Sequence, residues 1–438
     1  MGGAERSRRV ASEVDGAPPT GPNPPVAPTR RRSGSALAAF AVAAVAAVAA
    51  VGAVRPTAVA RHAPSPAGTF GLRAGALRAT LDERLVVAAR LPDAAPALDI
   101  AVHGDRAFVA AHGVGVHVLD IADRRAPVLR DTLATAGPAL AVAAAADVLA
   151  VAAGSGGLQI FARPDVSAMP TLVATVPPTA GGHAYSVAVS GDVIWVGEWS
   201  QDFGQGDPGH GIRAIARTSD GRWAVVGQLN TPGWAADIAV AGDTAYVADG
   251  PGGLRIIDVA DAGSPREVGS LATSVRAYGV AVDAATMRAY VADNEGGLVI
   301  VDVADPAAPR TLGTLATTGA VYDVACDGAC QRVWVAQADG AGPADGGLVM
   351  LVDVRRPAAP VIVDETALPQ RAWGVAIDAR GRAWVAATGS GVVALDTMPA
   401  DAPTPPSSAT SGTTPTPVSS ATPSEMPAAR VLLPWAHR

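Results

Sequence analysis

Short apolar runs recur along this chain at intervals of about forty to fifty residues, most of them ending in aspartate. Leu298-Val-Ile-Val-Asp302 is the fullest copy, and Leu254-Arg-Ile-Ile-Asp258 and Val116-His-Val-Leu-Asp120 stand close to it. Leu348-Val-Met-Leu-Val-Asp353, Val392-Val-Ala-Leu-Asp396, Leu158-Gln-Ile-Phe161 and Ile212-Arg-Ala-Ile215 are progressively looser. Gly, Asp and Pro separate the runs. Apolar segments of this length and spacing predict the blades of a propeller.

Each repeat reads as four strands. Strand A carries Asp99-Ile-Ala-Val102, Ser186-Val-Ala-Val189, Asp237-Ile-Ala-Val240, Gly279-Val-Ala-Val282, Asp323-Val-Ala-Cys326 and Gly374-Val-Ala-Ile377, with Ala141-Val-Ala143 a degenerate copy. Gly104-Asp105, Gly191-Asp192 and Gly242-Asp243 follow at positions where a tight hairpin requires positive φ. Strand B places one large side chain per repeat, Phe108, Leu149, Trp195, Tyr246, Tyr290, Trp334 or Trp384, and these are expected to pack between neighbouring sheets. Strand C is the apolar run, whose lack of alternation predicts cover on both faces. Asp-Pro turns such as Asp305-Pro306 lead to an outer strand D, where an opening proline sacrifices no ladder bond.

Strand A occurs seven times, and the seventh repeat, from about Arg371, stops after its strand C at Asp396. Glu83-Arg-Leu-Val-Val-Ala-Ala-Arg-Leu91 resembles the D strands and lies just before the first strand A. The predicted fold is therefore all-β: a seven-bladed propeller of four-stranded antiparallel blades, closed by residues 83–91 completing the last blade.

The flanks read differently. Residues 1–34 are rich in Pro, Gly and Arg and are expected to be disordered. Arg30-Arg31-Arg32 then precede an Ala/Val run, so 35–60 reads as a signal peptide, with Ala58-Val59-Ala60 as cleavage site, or as a transmembrane signal-anchor through 35–54. A linker, 61–80, leads to the propeller at 81–398. A Pro/Thr/Ser-rich spacer, 399–429, and a short apolar tail, 430–438, follow it. This order predicts an exported protein, cell-surface or extracellular, that touches a membrane only through the N-terminal segment if uncleaved.

Composition narrows the function classes. The chain has 438 residues and a formal charge of −7. Residues 1–60 hold seven Arg against Glu5, Glu13 and Asp15, leaving 26 Arg against 37 acids in the rest. An acidic body argues against nucleic acid as partner. Lysine is absent, which excludes Schiff-base chemistry and a P-loop.

Over about residues 80–398 the chain resembles the LVIVD-repeat family of bacterial and archaeal β-propellers, with Leu298–Asp302 a literal copy of the motif. The resemblance implies an exported or surface-exposed propeller and no shared chemistry.

Cys326 and Cys330 bracket Asp-Gly-Ala at the A–B turn of blade six. In an exported protein the pair reads as a disulfide, with free thiols or redox chemistry as the alternatives.

Strand direction places the starts of strand A and the B–C loops on one rim. The starts are Leu98-Asp99, Leu140, Tyr185-Ser186, Asp237, Tyr278, Tyr322-Asp323 and Trp373, expected to ring the mouth of the central channel. B–C loops are long only in blade three, Glu198 to Gly211, and blade six, Ala338 to Asp345. Insertions on one face of a repeat array commonly mark its binding surface. Trp199 and Phe203 offer apolar contact there, and Glu198, Asp202, Asp207 and His210 offer polar or cation-ligating groups. No cofactor is expected, although Asp202-Phe-Gly-Gln-Gly-Asp207 faintly resembles an oxygen-rich calcium loop. Tyr278, Tyr322 and Trp373 read as channel-filling structure or as binding residues. Asp99, Asp237 and Asp323 read as caps for backbone donors or as catalytic groups.

No Gly-x-Ser-x-Gly elbow or His-Glu-x-x-His is present. His103, His112 and His117 all fall in blade one, where alternation along the strands opposes convergence, and His117 is expected to be half-buried. The expected function is a non-catalytic binding module whose B–C rim meets a protein, peptide or glycan. The alternative is an extracellular hydrolase or lyase, metal-dependent or not, with its site at the channel mouth.

Overall fold

Gly104, Gly191 and Gly242 take φ of 62°, 55° and 58°, the left-handed values a two-residue hairpin demands, and each joins a strand A to its strand B. Such turns fold each repeat back and forth into one antiparallel sheet. The computed structural model describes residues 83–163, 165, 168–200, 211–326, 330–338 and 346–399. All of them fall in one of the chain's two units, Leu72–Arg438. The N-terminal region, the hydrophobic run, the linker to residue 82, residues 400–438 and the long-loop residues 201–210 and 339–345 lie outside the described residues. Among those described, no helix is long and apolar enough to cross a membrane.

Among the described residues, twenty-eight strands form seven four-stranded sheets. In the first six, consecutive strands pair in order, as in Gly279–Asp283, Arg288–Ala292, Leu298–Asp302 and Arg310–Leu315. The last sheet combines Ala372–Ile377, Ala383–Ala387 and Gly391–Pro399 with Glu83–Leu91, which pairs antiparallel to Gly391–Pro399 from Glu83 opposite Pro399 to Leu91 opposite Val392. That sheet packs against both the sixth and the first.

Among the described residues the core comprises seven apolar clusters, one at each junction between neighbouring sheets, and an eighth, smaller one around Trp234, Ala236 and Tyr278. This arrangement explains why strand C lost its alternation. In Leu298–Asp302 the first four side chains are all buried, because each face of the sheet meets another sheet. Phe108, Trp195, Tyr246, Tyr290, Trp334 and Trp384 are buried and face the next blade in the ring.

Blade two corrects the seventh assignment. Leu149 is buried, but Phe108 pairs with Ala101 of strand A, and the matching partner of Ala143 is Ala150. Leu149 therefore points back toward blade one, where it joins Phe108, while Ala150 faces blade three. A one-residue offset reverses the face on which a strand residue lies. Cys326 and Cys330 form a disulfide.

Candidate functional site at the channel mouth

The ten residues read as strand A starts, from Leu98 to Trp373, all line one cavity of about 200 Å³, together with Ala141, Val142, Val187 and Ala236. The repeat makes this inevitable: strand A is innermost in every sheet, so equivalent positions converge on the axis.

Three carboxylates hold the mouth together. Asp99 accepts the N–H groups of Ile100 at 2.7 Å and of Val142, in blade two, at 2.8 Å. Asp237 accepts Ile238 at 2.8 Å and Val280 of blade five at 2.9 Å. Asp323 accepts Val324 at 2.8 Å and Val375 of blade seven at 2.7 Å. Each aspartate thus uses both oxygens and ties its blade to the next one. Ser186 makes the corresponding tie from blade three by donating to the Ala235 carbonyl at 2.7 Å. Close approach at this level needs small residues: a Cβ on Gly374 would sit 3.0 Å from the Asp99 Cα and from the Leu98 oxygen.

Burial opposes ionisation of these groups more strongly than the N–H donors favour it. The Asp99 carboxyl is pushed up to about 6. Asp237 is raised to about 7, first by burial, with the charge of Asp99 adding to it. Asp323 is raised by burial and then by Asp237 and Asp99. Folded-state values above the ordinary 3.8 mean that the native mouth holds protons the unfolded chain releases. Stability from these groups is fully present below about pH 4 and is lost as pH rises through about 6 to 7. Asp249, pushed to about 6 chiefly by burial, acts in the same direction. Asp120, Asp258 and Asp302 are lowered and act in the opposite one. The mouth is therefore isolated by difference: Asp237→Asn should make the fall in melting temperature between pH 5 and 8 shallower than in the wild type. Parallel melting curves across that range would refute this reading of the mouth.

Aromatic rings form an arc above the carboxylates. Trp234 and Tyr278 lie 6.2 Å apart, Tyr278 and Tyr322 5.1 Å, and Tyr322 and Trp373 4.4 Å in an edge-on contact. Trp373 Nε1 donates to Thr388 Oγ1 at 2.8 Å, which fixes the last ring. Tyr185 joins the cluster from blade three, and its hydroxyl is held well above the ordinary phenol range, chiefly by burial. Leu98 and Leu140 complete the ring on the opposite side.

Of the candidate binding residues, Tyr278, Tyr322, Asp323 and Trp373 meet in the cavity, and Trp199 packs beside it against the same cluster, 5.9 Å from His183. Asp202, Phe203, Asp207 and His210, with the calcium-like loop, lie outside the described residues. Glu198 is not a free loop donor. It is buried, accepts from Thr179 N and Oγ1, and pairs with Arg213. His117 is buried rather than half-buried, its Nδ1 2.8 Å from Thr132 Oγ1. Among the described residues no three His, Cys, Asp or Glu groups are placed to hold a metal ion. Trp234 was not singled out from the sequence; its place three residues before Asp237, on the entry to strand A, was the available signal.

Four stretches, residues 95–135, 181–203, 232–273 and 289–317, match the family model of the LVIVD repeat. Among solved structures, one described as a streptogramin B lyase aligns with a TM-score of 0.53 at 12% identity, over 72% of this chain and 98% of that one. A computationally designed protein, Ika8, aligns at a TM-score of 0.46 and 9% identity, over 70% of this chain and 98% of that one. No curated protein matches the sequence.

Proposed function

We propose, from the premise that the chain belongs to the LVIVD-repeat family, that it is a non-catalytic binding module whose ligand enters the channel mouth. The observation carrying this reading is how the polar groups of the mouth are spent. Both oxygens of Asp99, Asp237 and Asp323 accept backbone N–H groups. Ser186, the serine of the lining, gives its hydroxyl proton to a backbone carbonyl rather than to a base. What remains is aromatic surface on a rigid frame, which suits recognition rather than nucleophilic chemistry. Arg30 to Arg32, the Ala/Val run and the Pro/Thr spacer support placing the module at the cell surface or outside the cell, facing a protein, peptide or glycan.

Replacing residues 201–210 with a short Gly-Ser turn tests the role of the rim. Binding to glycan and peptide arrays should fall by about tenfold or more while the melting temperature stays within a few degrees. Full binding by a folded variant would remove the long loop from the site.

A second reading, an extracellular hydrolase or lyase working at the same mouth, is favoured by one observation. Carboxyls at about 6 and about 7 lie where a general acid or base works best near neutral pH. The alignment with a streptogramin B lyase supports the frame for such a site and nothing of its chemistry. Metal analysis and a thermal-shift screen with EDTA, sugars and lactones separate the readings. Metal retained through purification, together with destabilisation by EDTA, would favour the enzyme.

A further inference from the structure

The geometry points to a quaternary ammonium group as the ligand of the channel mouth, a conclusion that rests on the binding reading above and names its chemical class. The cavity of about 200 Å³ has room for a small organic group rather than a single water. Tyr185, Tyr278, Tyr322 and Trp373 stand in its lining, and the Tyr278–Tyr322 and Tyr322–Trp373 ring planes are inclined to one another by 50° and 62°. Inclined rings crowded into one lining cannot all turn their edges to it, and a cation is the guest that aromatic faces attract. Asp99, Asp237 and Asp323 lie in the same lining, and no Arg or His stands among the lining residues to repel a cation.

Two features narrow the cation. The carboxylates are not positioned as a metal cage, and each already spends its oxygens on two backbone donors. A small hard ion needs several convergent free oxygens. A primary ammonium needs acceptors for three donors. A quaternary ammonium needs neither. It carries diffuse charge on a methylated surface and gains from aromatic rings without needing a hydrogen-bond acceptor. The aliphatic wall of Leu98 and Leu140 is compatible with methyl groups and offers an ammonium donor nothing.

The test is calorimetric titration of the full chain with choline, its neutral isostere 3,3-dimethylbutan-1-ol, and ethanolamine. Choline should bind, the neutral isostere should bind at least about tenfold more weakly, and ethanolamine should rank below choline. Tyr322→Leu should weaken choline by roughly twofold to thirtyfold, the span of one cation–π contact. Tyr322→Phe, which keeps the ring, should bind within about twofold of the wild type. The ranking in wild-type protein needs no variant, so a misfolded Tyr322→Leu chain does not rescue the idea. Equal binding of choline and its isostere, with loss in Tyr322→Leu, would leave the mouth as a binding site and overturn the ammonium assignment. Preference for ethanolamine, or no binding of choline at all, would also overturn it, whereas failure of the binding reading itself is read from the arrays, as a wild-type chain that binds no glycan or peptide.

Discussion

A chain beginning at Pro92 is expected to lose cooperative unfolding altogether and to aggregate, whereas one beginning at residue 72 should unfold in a single transition. The residues removed from the shorter chain include the whole strand Glu83–Leu91, which pairs along its length with Gly391–Pro399. Without it, the backbone groups of Gly391–Pro399 lie open on one edge, a template for pairing with another chain. The loss also reaches two junctions. Leu85 and Val87 pack into the cluster between blades six and seven, and Ala89 into that between seven and one. Leu85 N–H further donates to Asp364 Oδ2 at 2.7 Å, and Glu83 pairs with Arg332, both in blade six. Circular dichroism melts and light scattering on the two chains read the effect. A soluble Pro92 chain melting within a few degrees of the longer one would show that the ring does not depend on this strand.

Trp384→Ala is expected to cost about 3–5 kcal/mol, the range for deleting a large buried aromatic side chain. Trp384 is fully buried at the junction of blades seven and one, where the end of the propeller meets its beginning. Its Nε1 donates to Asp378 Oδ2 at 3.2 Å, and Asp378 also receives Arg124, which reaches across from blade one. Truncation therefore opens a cavity and removes one donor from a cross-junction network. For a domain of this size the melting temperature should fall by about 10 °C. Val173→Ala, on a half-exposed outer strand, should change stability by no more than about 0.5 kcal/mol. Urea denaturation of both variants checks the contrast. Similar midpoints would mean that junction seven–one carries no more than an outer-strand contact.

The fold was legible because its signals repeat. One apolar pentad is ambiguous, but seven copies, three of them preceded by a Gly-Asp turn at the same offset from strand A, agree on strand count and order. The mouth was legible for the same reason: once strand A is recognised, its first residues must surround the axis, and all ten line the cavity. Erosion of the repeat is where reading failed. In blade two, Ala141-Val-Ala143 left the register open by one residue, and the bulky Leu149 was assigned to a face that Ala150 occupies. Glu198 was misread because its partners, Thr179 in the connection into its sheet and Arg213 on the neighbouring strand, lie at distances along the chain that no local pattern records.

Local pattern alone determined the seven repeats, the four strands in each, and the residues presented to the axis, since side-chain alternation and turn chemistry act over a few neighbouring positions. Only the closed ring decided what those axial residues do. Asp99 with Val142, Asp237 with Val280, and Asp323 with Val375 join groups about forty to fifty residues apart. The raised carboxyls and the ring arc from Trp234 to Trp373 exist because seven sheets converge on one axis and exclude water there.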